Sequence, residues 1–163
     1  GRMKTALYVA TVTRTYRKAI DDCLRDRELY RRNMEWYREE IGKCTFRSYT
    51  TGFYFGKPGA ESQIYDNSTY IKNYTYLGTV EETDGAGRGR LTQKNKFSVG
   101  ETIEIMKPDG RNLEAVVREI RTEDGEPQES APHSKQVLWV SFEAEAGVEP
   151  YDILRRREEQ AGE

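Results

Sequence analysis

Histidine appears once in this sequence, as His133, and cysteine twice, as Cys23 and Cys44. A single imidazole leaves one candidate for the general base of a serine-type triad. It follows Pro132 in an acidic stretch with no serine marked out as its nucleophile, and it reads as a solvated loop residue. Zinc needs three or four ligands at recognisable spacing. Two cysteines 21 positions apart, with no histidine beside them, do not supply that spacing. Cys23 falls on an apolar helical face and reads as core, while Cys44 falls at a helix end, where burial and exposure are both open. Few cysteines and no signal-type apolar run favour a reducing, cytoplasmic setting. No run approaches the apolar length of a bilayer span, so no membrane partner is expected. The sequence therefore offers no catalytic residue and no metal ligand, and the chain by itself is expected not to be an enzyme.

What the sequence does have is charge. Asp, Glu, Lys and Arg make up 33% of it, and the mean hydropathy is −0.90. Apolar residues nevertheless recur periodically, which argues against global disorder. A length of 163 residues suits one domain, or one domain with an extension, and is enough to bury a core. The net charge of −2 hides a polarity. Residues 1–47 carry about 12 Lys/Arg against 7 Asp/Glu, and residues 122–163 about 4 against 11. Gly1-Arg2-Met3 runs straight into a helical pattern, so the sequence reads as a piece of a longer protein.

Residues 4–24 place Val9, Val12, Tyr16, Ile20 and Cys23 at helical spacing, predicting a helix with those residues on one face. Asp26 suits the N-cap of a second helix with Tyr30, Met34, Tyr37 and Ile41 on one face and Gly42 as its stop. The pair predicts a helical hairpin over 1–44, which must pack on the later strands or on a missing domain. Residues 45–72 read as an aromatic, extended connector. Strands are expected at Tyr74 to Glu82, Arg90 to Lys94, Thr102 to Met106, Leu113 to Ile120 and Gln136 to Phe142. Pro108-Asp109-Gly110 is a strong turn between the third and fourth of these. Thr122 to Pro132 reads as a polar loop, Ile153 and Leu154 as a docking point, and 156–163 as a frayed tail. The fold class is thus α+β, mainly β: a helical hairpin followed by a small antiparallel β-barrel over 73–155.

Three stretches carry a family resemblance. They are Arg2 to Ala10 with Tyr16-Arg17-Lys18-Ala19-Ile20-Asp21, then Tyr49-Thr50-Thr51-Gly52-Phe53-Tyr54-Phe55-Gly56-Lys57-Pro58, then Asn95-Lys96-Phe97 with Gly100-Glu101 and Pro108-Asp109-Gly110. Together they resemble the C-terminal region of the collagenase-like peptidase family, U32. The resemblance implies a larger parent with an N-terminal TIM-barrel-like domain, which would be this chain's first partner. It implies that the family's iron–sulfur cysteines lie in that domain. Cys23 and Cys44 match none of them, and no cofactor is expected here. Some members act in hydroxylation of tRNA or rRNA and others are described as collagen-degrading proteases, so both substrate classes stay open.

Residues that could grip a substrate are Arg14, Arg17 and Lys18 on the first helix, Arg47, Tyr49, Tyr54 and Lys57 in the connector, and Arg88 and Arg90 after the glycines. The aromatic run 46–55 has two readings: a core or inter-domain contact, or a stacking surface for RNA with Arg47 and Lys57 supplying charge. The basic helices read either as a solvated face or as an RNA-facing one. Gly85 to Arg90 superficially looks like a phosphate loop, but the residues after it predict a strand rather than a helix, which makes it a hairpin turn.

Overall fold

The structure, a computed structural model, describes residues 2–44, 53–57 and 73–158. Within them a helical part precedes an antiparallel sheet, and the chain is α+β and mainly β. Thr5 caps helix α1 (Ala6–Arg25) by accepting a hydrogen bond from the Tyr8 N–H. At Asp26 the backbone turns extended, ending α1, and its side chain accepts from the Glu28 N–H. That starts α2 (Arg27–Arg32), as the sequence predicts.

The second arm is not one helix. Asn33 interrupts it, and α3 (Met34–Gly42) follows. The cause is a buried carboxylate on α1. Asp22 accepts from Asn33 Nδ2 at 2.9 Å, Tyr37 Oη at 2.6 Å and Lys18 Nζ at 3.0 Å, so both pieces of the arm are tied to one point. Burial opposes its charge, but these three donors prevail and hold Asp22 below the usual aspartate range.

Strands β1 (Tyr74–Thr83), β2 (Gly89–Thr92), β3 (Thr102–Met106), β4 (Asn112–Thr122), β5 (Pro127–Gln128), β6 (Val137–Ala144) and β7 (Ile153–Arg157) lie in the order β3-β7-β1-β2-β6-β4-β5. Because β3 also pairs with β4, six strands close into a ring and β5 hangs on the edge of β4. Every pairing is antiparallel. Closing so small a ring needs sharp bends. Register shifts between Tyr76 and Gly78, Val80 and Glu82, and Val117 and Glu119 supply them. Gly78 sits where two strands press together: a Cβ there would lie 2.9 Å from Leu91 Cδ1 and 3.2 Å from the Thr92 carbonyl.

The ring interior is filled by alternate residues of the strands, among them Leu77, Leu91, Ile105, Val117, Ile120, Leu138 and Leu154, with Phe97 plugging it from the β2–β3 loop. The Pro108-Asp109-Gly110 turn forms as expected, with Gly110 at φ +99° and its N–H on the Lys107 carbonyl. Gly85 to Arg88 is a hairpin turn: Asp84 accepts from the N–H groups of Ala86 and Arg88 at 3.0 and 2.9 Å.

Three expectations need correction besides the split arm. The polar loop 122–132 contains β5, because Ile120 and Arg121 pair with Gln128 and Pro127. The last strand runs to Arg157, so Arg156 and Arg157 do not fray; they pair with Thr75 and Tyr74. The third concerns Cys23, which reads as core from sequence and is exposed on α1. The face it shares with Val9, Tyr16 and Ile20, which the sequence left to pack on the strands or on a missing domain, is open, and the buried residues are Leu7, Thr11, Arg14, Thr15 and Asp22. The ring surface that α1 meets offers two carbonyls, a thioether and a side-chain amide oxygen, so the polar side of the helix turns toward it.

Candidate nucleic-acid interface

The hairpin joins the ring through a buried polar seam. Glu40 of α3, 1% exposed, lies at its centre. Its Oε1 accepts from Arg14 of α1 and, at 2.6 Å, from Arg155 of β7. Its Oε2 accepts from Asn112 Nδ2 at 2.9 Å and pairs with Lys43 at 3.1 Å. Through its two Nη groups Arg14 also donates to the Lys107 and Arg111 carbonyls, at 2.8 and 3.2 Å, and to Asn112 Oδ1 at 2.9 Å, while its buried Nε has no partner among the described residues. Arg155 also reaches Glu104 and stacks over Tyr74, 5.0 Å from its centroid. Burial raises the Glu40 carboxyl, but Arg155, Arg14 and Lys43 outweigh it and hold the group below the usual glutamate range. A small apolar patch of Leu7, Met106 and Ile153 flanks the seam. A second buried pair, Lys107 with Asp152 at 2.6 Å, closes one end of the ring, where Lys107 also donates to the Gly147 carbonyl at 2.7 Å.

The residues picked from sequence for substrate contact do not gather. Arg14 is part of the seam and not open to a phosphate. Arg17 is exposed and pairs with Asp21 one turn on, and Lys18 bonds Asp22. Arg88 is held by Asp84 at 2.6 Å, and Arg90 by Glu81, Glu82 and Glu123. Tyr54 and Lys57 are exposed in a turn, closed by the Gly56 N–H on the Phe53 carbonyl. That segment was expected to be extended and is turned instead. Phe53 and Phe55 beside them are open to solvent too, which runs against burial of these rings in the chain's own core. Arg47 and Tyr49 lie outside the described residues.

One place does bring cations, rings and helix donors together. A groove of about 510 Å³ runs between the first turn of α1 and the ring, lined by Thr5, Ala6, Tyr74, Tyr76, Lys94 and Asn95. Asn95 is fixed there by donating to the Tyr76 carbonyl at 2.6 Å. Lys94 and Lys96 are exposed, and among the described residues no carboxylate pairs with either. The first turn of a 20-residue helix adds the positive end of its dipole. None of Tyr74, Tyr76, Lys94 or Lys96 was selected from sequence. Two lysines around an asparagine between strands were visible there, but the meeting of Lys94 and Asn95 with α1 depends on the seam, whose partners lie far apart in the chain.

The family model for the peptidase family U32 C-terminal domain matches residues 72–155, and that for peptidase family U32 itself matches residues 1–64. This chain belongs to peptidase family U32. The U32 chain is 34% identical over 157 residues to the tRNA hydroxylation protein P1 of Bacillus subtilis, covering 96% of this chain and 36% of that one. It is 29% identical over 143 residues to the tRNA hydroxylation protein P of Escherichia coli, covering 86% and 30%. It is also 47% identical over 107 residues to an uncharacterised protease of Methanocaldococcus jannaschii, covering 66% and 21%. It thus spans about a third of the length of the tRNA hydroxylation relatives. A crystal structure of the C-terminal domain of a Geobacillus thermoleovorans protein described as a U32 peptidase is similar at a TM-score of 0.45 and 28% identity, over 50% of this chain and 99% of that one.

The U32 resemblance raises an iron–sulfur cluster, and the cysteines here do not fit one. Cys23 is exposed on α1, and Cys44 is buried at the end of α3, its thiol on the Ile41 carbonyl at 3.1 Å. Among the described residues no three His, Cys, Asp or Glu side chains gather as metal ligands. His133 is exposed, and no helix among the described residues is long and apolar enough to cross a membrane.

Proposed function

We propose that this chain is the accessory, non-catalytic part of a U32 protein and that it helps its parent grip structured RNA. The observation that carries this reading is the groove at the foot of α1, where Lys94, Asn95 and two half-buried tyrosines line the space beside the first turn of the helix. An ammonium group and a helix N-terminus suit a phosphate. Two of the relatives are named for tRNA hydroxylation, which makes tRNA the RNA to try first.

The test is a titration of labelled tRNA against the chain at low and moderate salt. Binding should weaken as salt rises, since each phosphate contact releases counterions. The double variant Lys94→Glu with Lys96→Glu should weaken it further and flatten the salt slope by about 1.5, roughly two contacts' worth. No binding at low salt would refute the reading. Binding that ignores the double substitution would move the contact away from this groove. Gelatin and casein form the other arm, and their capture or cleavage by the chain alone would favour a protein substrate.

A further inference from the structure

Helix α1 is built inside out. Leu7, Thr11, Arg14, Thr15 and Asp22 are buried against the ring and the second arm. Val9, Tyr16, Ile20 and Leu24, at spacings of seven, four and four, occupy the opposite side of the helix and are open, as is Met3 ahead of it. Tyr16 is 60% exposed and Leu24 80%. A helix with one solvated side puts its polar side there. A continuous apolar stripe turned away from the protein marks a surface that another surface covers.

We propose that this stripe is the seat of the remainder of the U32 polypeptide, through an apolar patch. Two observations choose that occupant. The stripe lies wholly within residues 1–64, which match the model for the family's main region and not its C-terminal domain. About two thirds of the Bacillus subtilis relative lies outside its match to this chain, so ample chain exists to cover the helix. The seat is independent of what the groove binds.

Cys23 provides the probe, because its thiol is exposed beside Ile20 and Leu24, while Cys44 is buried and serves as the internal control. The chain alone, and the same chain joined to the remainder of its U32 polypeptide, are treated with a thiol reagent and the rate at Cys23 is followed. In the chain alone Cys23 should react as an open thiol, and in the longer polypeptide it should be slowed by at least about tenfold. Tyr16→Glu with Ile20→Glu should restore the fast rate in the longer polypeptide and leave the unfolding midpoint of the chain alone unchanged. Equal rates in the two forms would overturn the proposal. Slow reaction in the chain alone, with a dimer by sedimentation equilibrium, would also overturn it and give the stripe to a second copy.

Discussion

Replacing Glu40 with Gln is the sharpest test of the seam. The isostere keeps the shape and one carbonyl oxygen, so Arg14 and Arg155 still find an acceptor. The amide nitrogen, however, would face Asn112 Nδ2 and Lys43 Nζ, both donors, and the negative charge is gone. Arg155 keeps Glu104 as a counter-charge. Arg14, 7% exposed, keeps only neutral acceptors: the two carbonyls and Asn112 Oδ1. Removing one partner of a buried ion pair costs about 3–5 kcal/mol. With Arg155 still paired, the loss here belongs near the lower end, about 3 kcal/mol. For a chain of this size that is a fall in Tm of about 6–12 °C. Urea unfolding can localise it, because Trp36 sits on α3 and Trp139 on β6. The Trp36 transition should move to lower urea first, since the hairpin loses its anchor while the ring keeps its own core. A triple variant, Arg14→Met, Glu40→Met and Arg155→Met, should recover most of the stability, as apolar replacement of buried ion networks often does. A shift below about 1 kcal/mol for Glu40→Gln, the scale of exposed pairs, would refute the account of the seam.

Acid should reproduce the same loss. Glu40 and Asp22 both lie below their ordinary ranges in the folded chain, so their contribution is complete above the unfolded values and disappears as pH falls through the folded ones. A pH series of melts should show the Trp36 signal failing before the Trp139 signal. At the alkaline end, burial and the hydrogen bond to Asp22 raise Tyr37 to about 12, so its contribution holds below pH 10 and is lost between there and about 12. Tyr37→Phe should remove that alkaline loss in the same melts. Gly78→Val should destabilise the ring by about 1–3 kcal/mol through overpacking against Leu91, read from the Trp139 transition in urea. Arg17→Ala, by contrast, removes only an exposed pair with Asp21 and should leave both transitions where they are.

The ring was legible because its information is local. Alternating residues such as those from Leu113 to Ile120, and a turn that Gly110 takes at positive φ, specify strands and reversals within a few positions. The family was legible from short runs such as Gly52 to Lys57. The orientation of α1 was not legible, because apolar periodicity says which face of a helix is apolar and not which partner covers it. Sequence left the face of Val9, Tyr16 and Ile20 to pack on the strands or on a missing domain and read Cys23 on it as core, and all four are open. The seam was invisible for a related reason. Arg14, Glu40, Asn112 and Arg155 are spread across the chain, and each alone reads as an ordinary surface charge or amide. Arg14 was accordingly chosen as a phosphate contact, when its four bonds all lie within the protein. The groove at Lys94 depends on the same long-range meeting and went unread with it.

The polarity of the seam explains why α1 can face outward with its apolar side. Apolar contacts are not directional, and a helix resting on them can roll or slip by a turn at small cost. Arg14 instead addresses two carbonyls, a carboxylate and an amide at once, and a rotation by one residue would bring Thr13 or Thr15 to that place with none of those bonds. Lys18 adds a second constraint, packing on Gly110 while bonding Asp22. The helix is therefore held in one rotation about its axis. In that rotation its first turn borders Lys94 and Tyr76, and its apolar stripe points away from the ring. A U32 parent docking on the stripe would have the groove presented at a fixed angle beside it. Rolling α1 inward would bury Val9, Tyr16 and Ile20, but would leave Glu40 without Arg14 and take Arg14 from its four acceptors. The seam thus keeps the apolar face available, through a buried network that acid or a single substitution can break.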